Sequence, residues 1–209
     1  NPSNMSKVAE SADYGDYIHA LTSAGTYLYV GGSAGTVWKI NPSNMSKVAE
    51  SADYGSEIRA LASDGTYLYV GGNGGRVWKI RSSDMSKVAE SADYGNYIYA
   101  LTSDGTYLYV GGRAGRVWKI RSSNMSKVAE SDYYGDWIRA LAYDGTYLYV
   151  GGDTRRVWKL NPSNMSKVAE SADYGGWIYA LAFDGTHLYA GGGTKTVWKM
   201  LCTVYRKEA

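Results

Sequence analysis

Cysteine occurs once in the 209 residues, as Cys202. That excludes an internal disulfide framework and a zinc cluster built on thiolates. Neither sign of charge prevails, with 22 Lys plus Arg against 20 Asp plus Glu, so no broad field draws nucleic acid or an anionic membrane. No apolar run approaches the roughly 18 residues of a membrane-spanning helix, and no segment has the pattern of a secretory signal. The only histidines, His19 and His187, fall at unlike places in the repeat described next, whereas a zinc site wants three or four converging ligands. No metal, cofactor, membrane or nucleic acid is expected, and the compartment stays unassigned.

What the chain does have is a period. The stretch Gly65-Thr66-Tyr67-Leu68-Tyr69-Val70-Gly71-Gly72, or a near copy, begins at Gly25, Gly65, Gly105, Gly145 and Gly185, each 40 residues after the last. The units are 1–40, 41–80, 81–120, 121–160 and 161–200, and 201–209 forms a tail; together they read as a single domain. The first two units differ at eight of forty positions, which points to recent amplification or to deliberate engineering. The chain starts in mid-repeat without an initiator methionine, as a piece of something longer would.

Each unit predicts four short strands. In the first they are Tyr17 to Ser23, Tyr27 to Gly31, Thr36 to Ile40 and, in the following copy, Ser46 to Ser51. Aromatic and β-branched residues fill them, and Asp-Gly, Gly-Gly and Asn-Pro-Ser-Asn punctuate them, so consecutive strands pair as an antiparallel meander. One such meander buries about six large side chains at roughly 1.5 to 3 kcal/mol each, against about 1 to 2 kcal/mol per residue for ordering some 40 residues. A unit cannot fold alone. The Tyr-Leu-Tyr-Val and Val-Trp-Lys-Ile runs carry bulky residues at successive positions, as expected of sheets covered on both faces.

A radial stack of four-stranded sheets with this period is a β-propeller, here of five blades. Leu-Tyr-Val-Gly-Gly resembles the double-glycine strand of kelch-type blades, and Val-Trp-Lys-Ile takes the place of the Trp-Asp strand of WD40-type blades. The Trp-Asp dipeptide and its Gly-His partner are absent, the kelch period is longer, and the docking tryptophan of quinoprotein repeats is missing. In the last unit Gly175-Gly176-Trp177, Leu181-Ala182-Phe183 and Leu188-Tyr189-Ala190 resemble the five-bladed lectins of tachylectin type, which implies carbohydrate binding. Because the chain opens on a loop and an outermost strand, Met5 to Ser11 is expected to complete the last blade near Val197 to Met200 and close the ring, which removes two free sheet edges. The tail strand Cys202 to Tyr205 is its rival.

Variation among the copies gathers on one rim, where the approach to the first strand meets the loop between the second and third. Aromatic and cationic residues there suit recognition. The candidate ligand-binding residues are Asp16, Tyr17, His19, Glu57, Arg59, Tyr97, Tyr99, Asp136, Trp137, Arg139, Trp177 and Tyr179, with Arg76, Arg116 and Arg156 in the loops. Rim cations outnumber rim carboxylates eight to four, which favours an anionic ligand. Asp16, Glu57 and Asp136 lie where a glycosidase would place an acid and a base, yet nothing fixes their separation or shifts a pKa, and no enzyme is expected. Asn4-Met5-Ser6 and its copies match a glycosylation pattern within a repeated turn. The reading is a monomeric, non-catalytic module binding carbohydrate, with a protein-interaction scaffold, or an engineered or recently amplified propeller with no selected ligand, as the alternatives.

Overall fold

The computed structural model describes residues 6–202, and every described element is a β-strand. Blade 1 holds β1 (Ile18–Ala24), β2 (Tyr27–Gly32), β3 (Val37–Asn41) and β4 (Ser46–Glu50). Blade 2 holds β5 (Ile58–Ser63), β6 (Tyr67–Gly72), β7 (Val77–Arg81) and β8 (Lys87–Glu90). Blade 3 holds β9 (Ile98–Ser103), β10 (Tyr107–Gly112), β11 (Val117–Arg121) and β12 (Lys127–Glu130). Blade 4 holds β13 (Ile138–Tyr143), β14 (Leu148–Gly152), β15 (Trp158–Leu160) and β16 (Lys167–Glu170). Blade 5 holds β17 (Ile178–Phe183), β18 (His187–Gly192) and β19 (Val197–Leu201). Each sheet is an antiparallel meander in chain order, and the five blades are arranged as a propeller, all-β as the period predicts.

The double glycine has two separate causes. A Cβ on Gly31 would stand 2.5 Å from Ile58 Cγ2 of the next blade, and one on Gly32 would stand 1.9 Å from the Tyr17 carbonyl oxygen. The first glycine lets two blades touch, and the second lets the bulged start of the inner strand approach its partner. Ile58, Ile98, Ile138 and Ile178 are all fully buried at these contacts. Each is worth about 1.5 to 3 kcal/mol of burial.

Two further contacts tie each blade to the next. Lys39, Lys79, Lys119 and Lys159 are buried, and their Nζ atoms donate to the carbonyls of Ser82, Ser122, Pro162 and Cys202 at 2.7 to 2.9 Å. Each ammonium also sits 3.9 to 4.2 Å above the ring of Tyr27, Tyr67, Tyr107 or Tyr147. A buried cation is thereby both hydrogen-bonded and faced by a π-system, which offsets its desolvation. In the connecting loops Tyr14, Tyr54, Tyr94 and Tyr134 stack on the third-strand tryptophans Trp38, Trp78, Trp118 and Trp158.

The structure corrects the expected closure. Blade 5 has three strands among the described residues, and Ser6 to Ser11 belongs to no strand; Met5 and residues 203–209 lie outside the described residues. The N-terminal segment travels with blade 1, where Tyr14 stacks on Trp38, and among the described residues blade 1 does not pack on blade 5. A Cβ added at Gly191, where the other blades receive an isoleucine, would meet no heavy atom of the described residues within 4 Å. Ile18 and Leu21 are accordingly 48% and 60% exposed.

The tyrosines of the second strand divide by position. Tyr69, Tyr109 and Tyr149 are buried, while Tyr67, Tyr107 and Tyr147, two residues earlier on the same face, are half-buried under their lysines. Burial first, and then the bonds from the Tyr69 and Tyr109 phenols to Asp64 and Asp104, hold both hydroxyls well above the usual tyrosine range. In Tyr149 the same effects act with Cys202 and Asp144. A folded-state pKa raised above the unfolded value makes this contribution complete below about pH 10 and lost as pH rises beyond it. Thermal unfolding should therefore show a falling Tm between pH 10 and pH 12, and Tyr109→Phe should flatten that fall; an unchanged Tm over the interval would contradict the assignment. Tyr69→Ala should cost about 3 to 5 kcal/mol, like other large core truncations, and Tyr67→Ala distinctly less.

Candidate functional site

The two variable segments of each unit are brought together by the backbone. The amides of Ser33, Asn73, Arg113, Asp153 and Gly193 donate to the carbonyls of Tyr17, Glu57, Tyr97, Trp137 and Trp177 at 2.9 to 3.0 Å. Five such junctions form one rim around a concave surface. Its floor is a hollow of about 210 Å³ lined by Leu21, Leu61, Leu101, Leu141 and Leu181, with Arg59, Arg139, Tyr99 and Tyr179 at its edge.

The side chains are not spread evenly along this rim. On blades 3 to 5 they gather into one cluster around Arg139, whose guanidinium carbon lies 4.9 to 5.6 Å from the ring centres of Trp137, Tyr179, Tyr99 and Trp177. Tyr99 and Trp137 are themselves 5.7 Å apart. Arg113 continues the series, 4.9 Å from Trp137 and 5.6 Å from Tyr97. Asp153 fixes the centre of the cluster: its carboxylate, with a side chain only 7% exposed, accepts from Arg139 Nε and, at 2.9 Å, from Nη2. This bond, larger than the opposing effect of burial, holds the guanidinium even more firmly protonated. The outer ring faces stay open, with Trp177 50% and Tyr179 49% exposed.

Elsewhere on the rim the residues serve their own loops. Glu57 accepts from Arg59 and, at 2.9 Å, from Asn73 Nδ2. Asp16 and Asp136 accept from the backbone amides of Tyr17 and Trp137. On blade 1 His19 Nε2 meets Ser33 Oγ at 2.9 Å, and its ring stacks loosely on Tyr17. Arg76, Arg116 and Arg156 turn away from the cluster toward the outermost strand, where Glu90, Glu130 and Glu170 stand 3.4, 3.9 and 3.6 Å from them. The cationic excess counted along the sequence is largely neutralised by these partners, and Arg113 makes no ion pair among the described residues.

Beside the cluster, between blades 2 and 3, a hollow of about 380 Å³ is walled by Asn73, Asp93, Asn96, Tyr97 and Arg113 over Gly74 and Gly75. Asn73 donates its amide nitrogen to Glu57, and its Oδ1 is sealed from solvent without a hydrogen-bond partner among the described residues. Asp153, Arg113 and Asn73 were not among the residues selected from sequence. All three occupy the same loop position of their units, and its variation was the available signal. Among the described residues no group of three or more His, Cys, Asp or Glu is arranged to hold a metal ion.

No family model matches the sequence, and no curated protein does. Among solved structures the chain is similar to the computationally designed Ika8 protein, with a TM-score of 0.81 at 15% identity. The match covers 91% of this chain and 60% of that one. At such identity the likeness concerns the fold, a propeller of repeated antiparallel blades.

The two ion pairs of the rim should behave differently when broken. Arg139→Met leaves the nearly buried Asp153 carboxylate unpaired and should cost about 3 to 5 kcal/mol. Arg59→Met leaves Glu57 partly exposed and still bonded to Asn73, and should cost about 1 kcal/mol or less. Equal costs in chemical denaturation would contradict the difference in burial.

Proposed function

We propose that the chain is a non-catalytic binding module that takes carbohydrate on the aromatic rim of blades 3 to 5. One observation carries the reading: Trp177, Tyr179 and Tyr97 present open ring faces while two guanidinium groups hold the cluster in place. Flat, rigid aromatic faces suit the apolar C–H faces of a sugar ring, and fixed N–H and amide groups suit its hydroxyls. Because Asp153 already neutralises Arg139, the centre favours an uncharged polar ligand over a simple anion. The adjoining hollow, with Asp93, Asn96 and Arg113 on its wall, extends the surface by a second position for a saccharide unit.

A second reading has its own support. Near-identical units, and a designed propeller as structural neighbour, agree with an engineered or recently amplified propeller that has no selected ligand. A protein-interaction scaffold is the third. A glycan array with the purified chain separates them. Carbohydrate binding predicts saturable signals that fall about tenfold, equivalent to about 1.4 kcal/mol, in Trp177→Ala and Trp137→Ala at unchanged stability. A protein captured specifically with no glycan signal selects the scaffold; silence in both assays selects the ligand-free propeller and overturns the proposal.

A further inference from the structure

The two end blades carry the two halves of an interface that the molecule builds four times internally. On the leading side of each inner junction stand a bare glycine, a buried lysine and a buried tyrosine: Gly31, Lys39 and Tyr29 in blade 1, then the copies in blades 2, 3 and 4. On the receiving side stand an isoleucine on that glycine, a tryptophan stacked on the connector tyrosine, and a carbonyl that accepts from the lysine. Blade 5 repeats the leading half with Gly191, Lys199 and Tyr189, and blade 1 repeats the receiving half with Ile18, Trp38, Tyr14 and the Pro42 carbonyl. Both halves lie open. Lys199 is exposed where its four counterparts are buried, and Val197 is 70% exposed where Val37, Val77 and Val117 are sealed.

A strand donor and a strand acceptor complete the match. Outer strands β4, β8, β12 and β16 each carry an ion pair three residues apart, Lys47–Glu50 and its copies. Lys7 and Glu10 form the same pair at 2.9 Å in a segment that belongs to no sheet. In blade 1 the outer strand places Glu50 opposite Trp38 and Ala49 opposite Lys39, and Ser51 accepts from the Val37 amide. The outer edge of β19 offers Trp198, Lys199 and Val197 in the same order, with no strand upon it among the described residues.

We propose that the blade 5 face of one copy binds the blade 1 face of a second copy, whose residues 7–11 add to β19 as the fourth strand. The turn from blade to blade decides for a second copy over the chain's own opposite end. With all four internal junctions formed, a Cβ on Gly191 would still meet nothing within 4 Å among the described residues, so that turn does not bring Ile18 of blade 1 onto blade 5. A contact joining unlike faces is head-to-tail, and it leaves a free half at each end for the next copy. It combines sheet-face packing with strand addition at an open edge.

Sedimentation of the full chain from micromolar to near-millimolar concentration tests this. The mass should rise with concentration to at least twice that of one chain. Gly191→Phe should abolish the rise, since the open face has room for a side chain and the assembled junction does not. Ala9→Pro, which removes an amide from the donor strand, should weaken it without unfolding the chain, as circular dichroism will show. A wild-type mass fixed at one chain throughout would overturn the proposal, including the case in which hydrogen exchange finds Ile18 protected by the chain's own blade 5. Equal association of Gly191→Phe would overturn it as well, by placing the contact elsewhere.

Discussion

An isoleucine of one blade resting on the glycine of the blade before it is the contact on which the architecture depends. A blade has too little core to fold alone, so each sheet becomes stable only when both faces are covered. The Ile-on-Gly contact lets the sheets approach closely enough for that to happen. The lysine bond to the next blade's carbonyl and the tyrosine stacked on tryptophan then sit at fixed distances from it. Three contacts of different chemistry recur together at the junctions, so they specify a single angle between blades as well as contributing stability.

Most of the scaffold was legible because it is written several times over. The 40-residue period, the meander and the covered faces of the second and third strands all follow from side-chain type and turn residues, and the strand limits agree to within a residue or two at most ends. Burial along the strand was less legible. Tyr67 and Tyr69 point to the same side, and nothing in Tyr-Leu-Tyr-Val says where the neighbouring blade stops; the structure buries Tyr69 and leaves Tyr67 at the margin under Lys79. Closure failed for a related reason. The match of Met5 to Ser11 to an outer strand identifies a partner type, but which copy of the acceptor it meets depends on the turn per blade, a property of packing that composition does not carry.

On the rim the sequence located the variable positions correctly and misjudged their electrostatics. Counting charges along the loops treated Arg76, Arg116 and Arg156 as part of a cationic mouth. Placed in the loop just before the third strand, they turn outward to the glutamates of the outer strand. Arg139 was chosen as a cation, whereas Asp153 makes it a rigid centre for four aromatic rings. The repeats thus supply a symmetric frame, and substitutions at a few positions of blades 3 to 5 supply an asymmetric surface upon it. Because the backbone junctions are the same in all five blades, one frame carries different side chains at these positions.

The central claim is that stability belongs to the junctions between blades and not to the blades themselves. Native-state hydrogen exchange measures it directly, residue by residue. In a solution dilute enough to hold single chains, the amides of β6, β10 and β14, each between two formed junctions, should exchange together and slowest, while those of β1 and β19, each at an open face, should exchange much faster. Equal protection of β1, β10 and β19 would contradict the account.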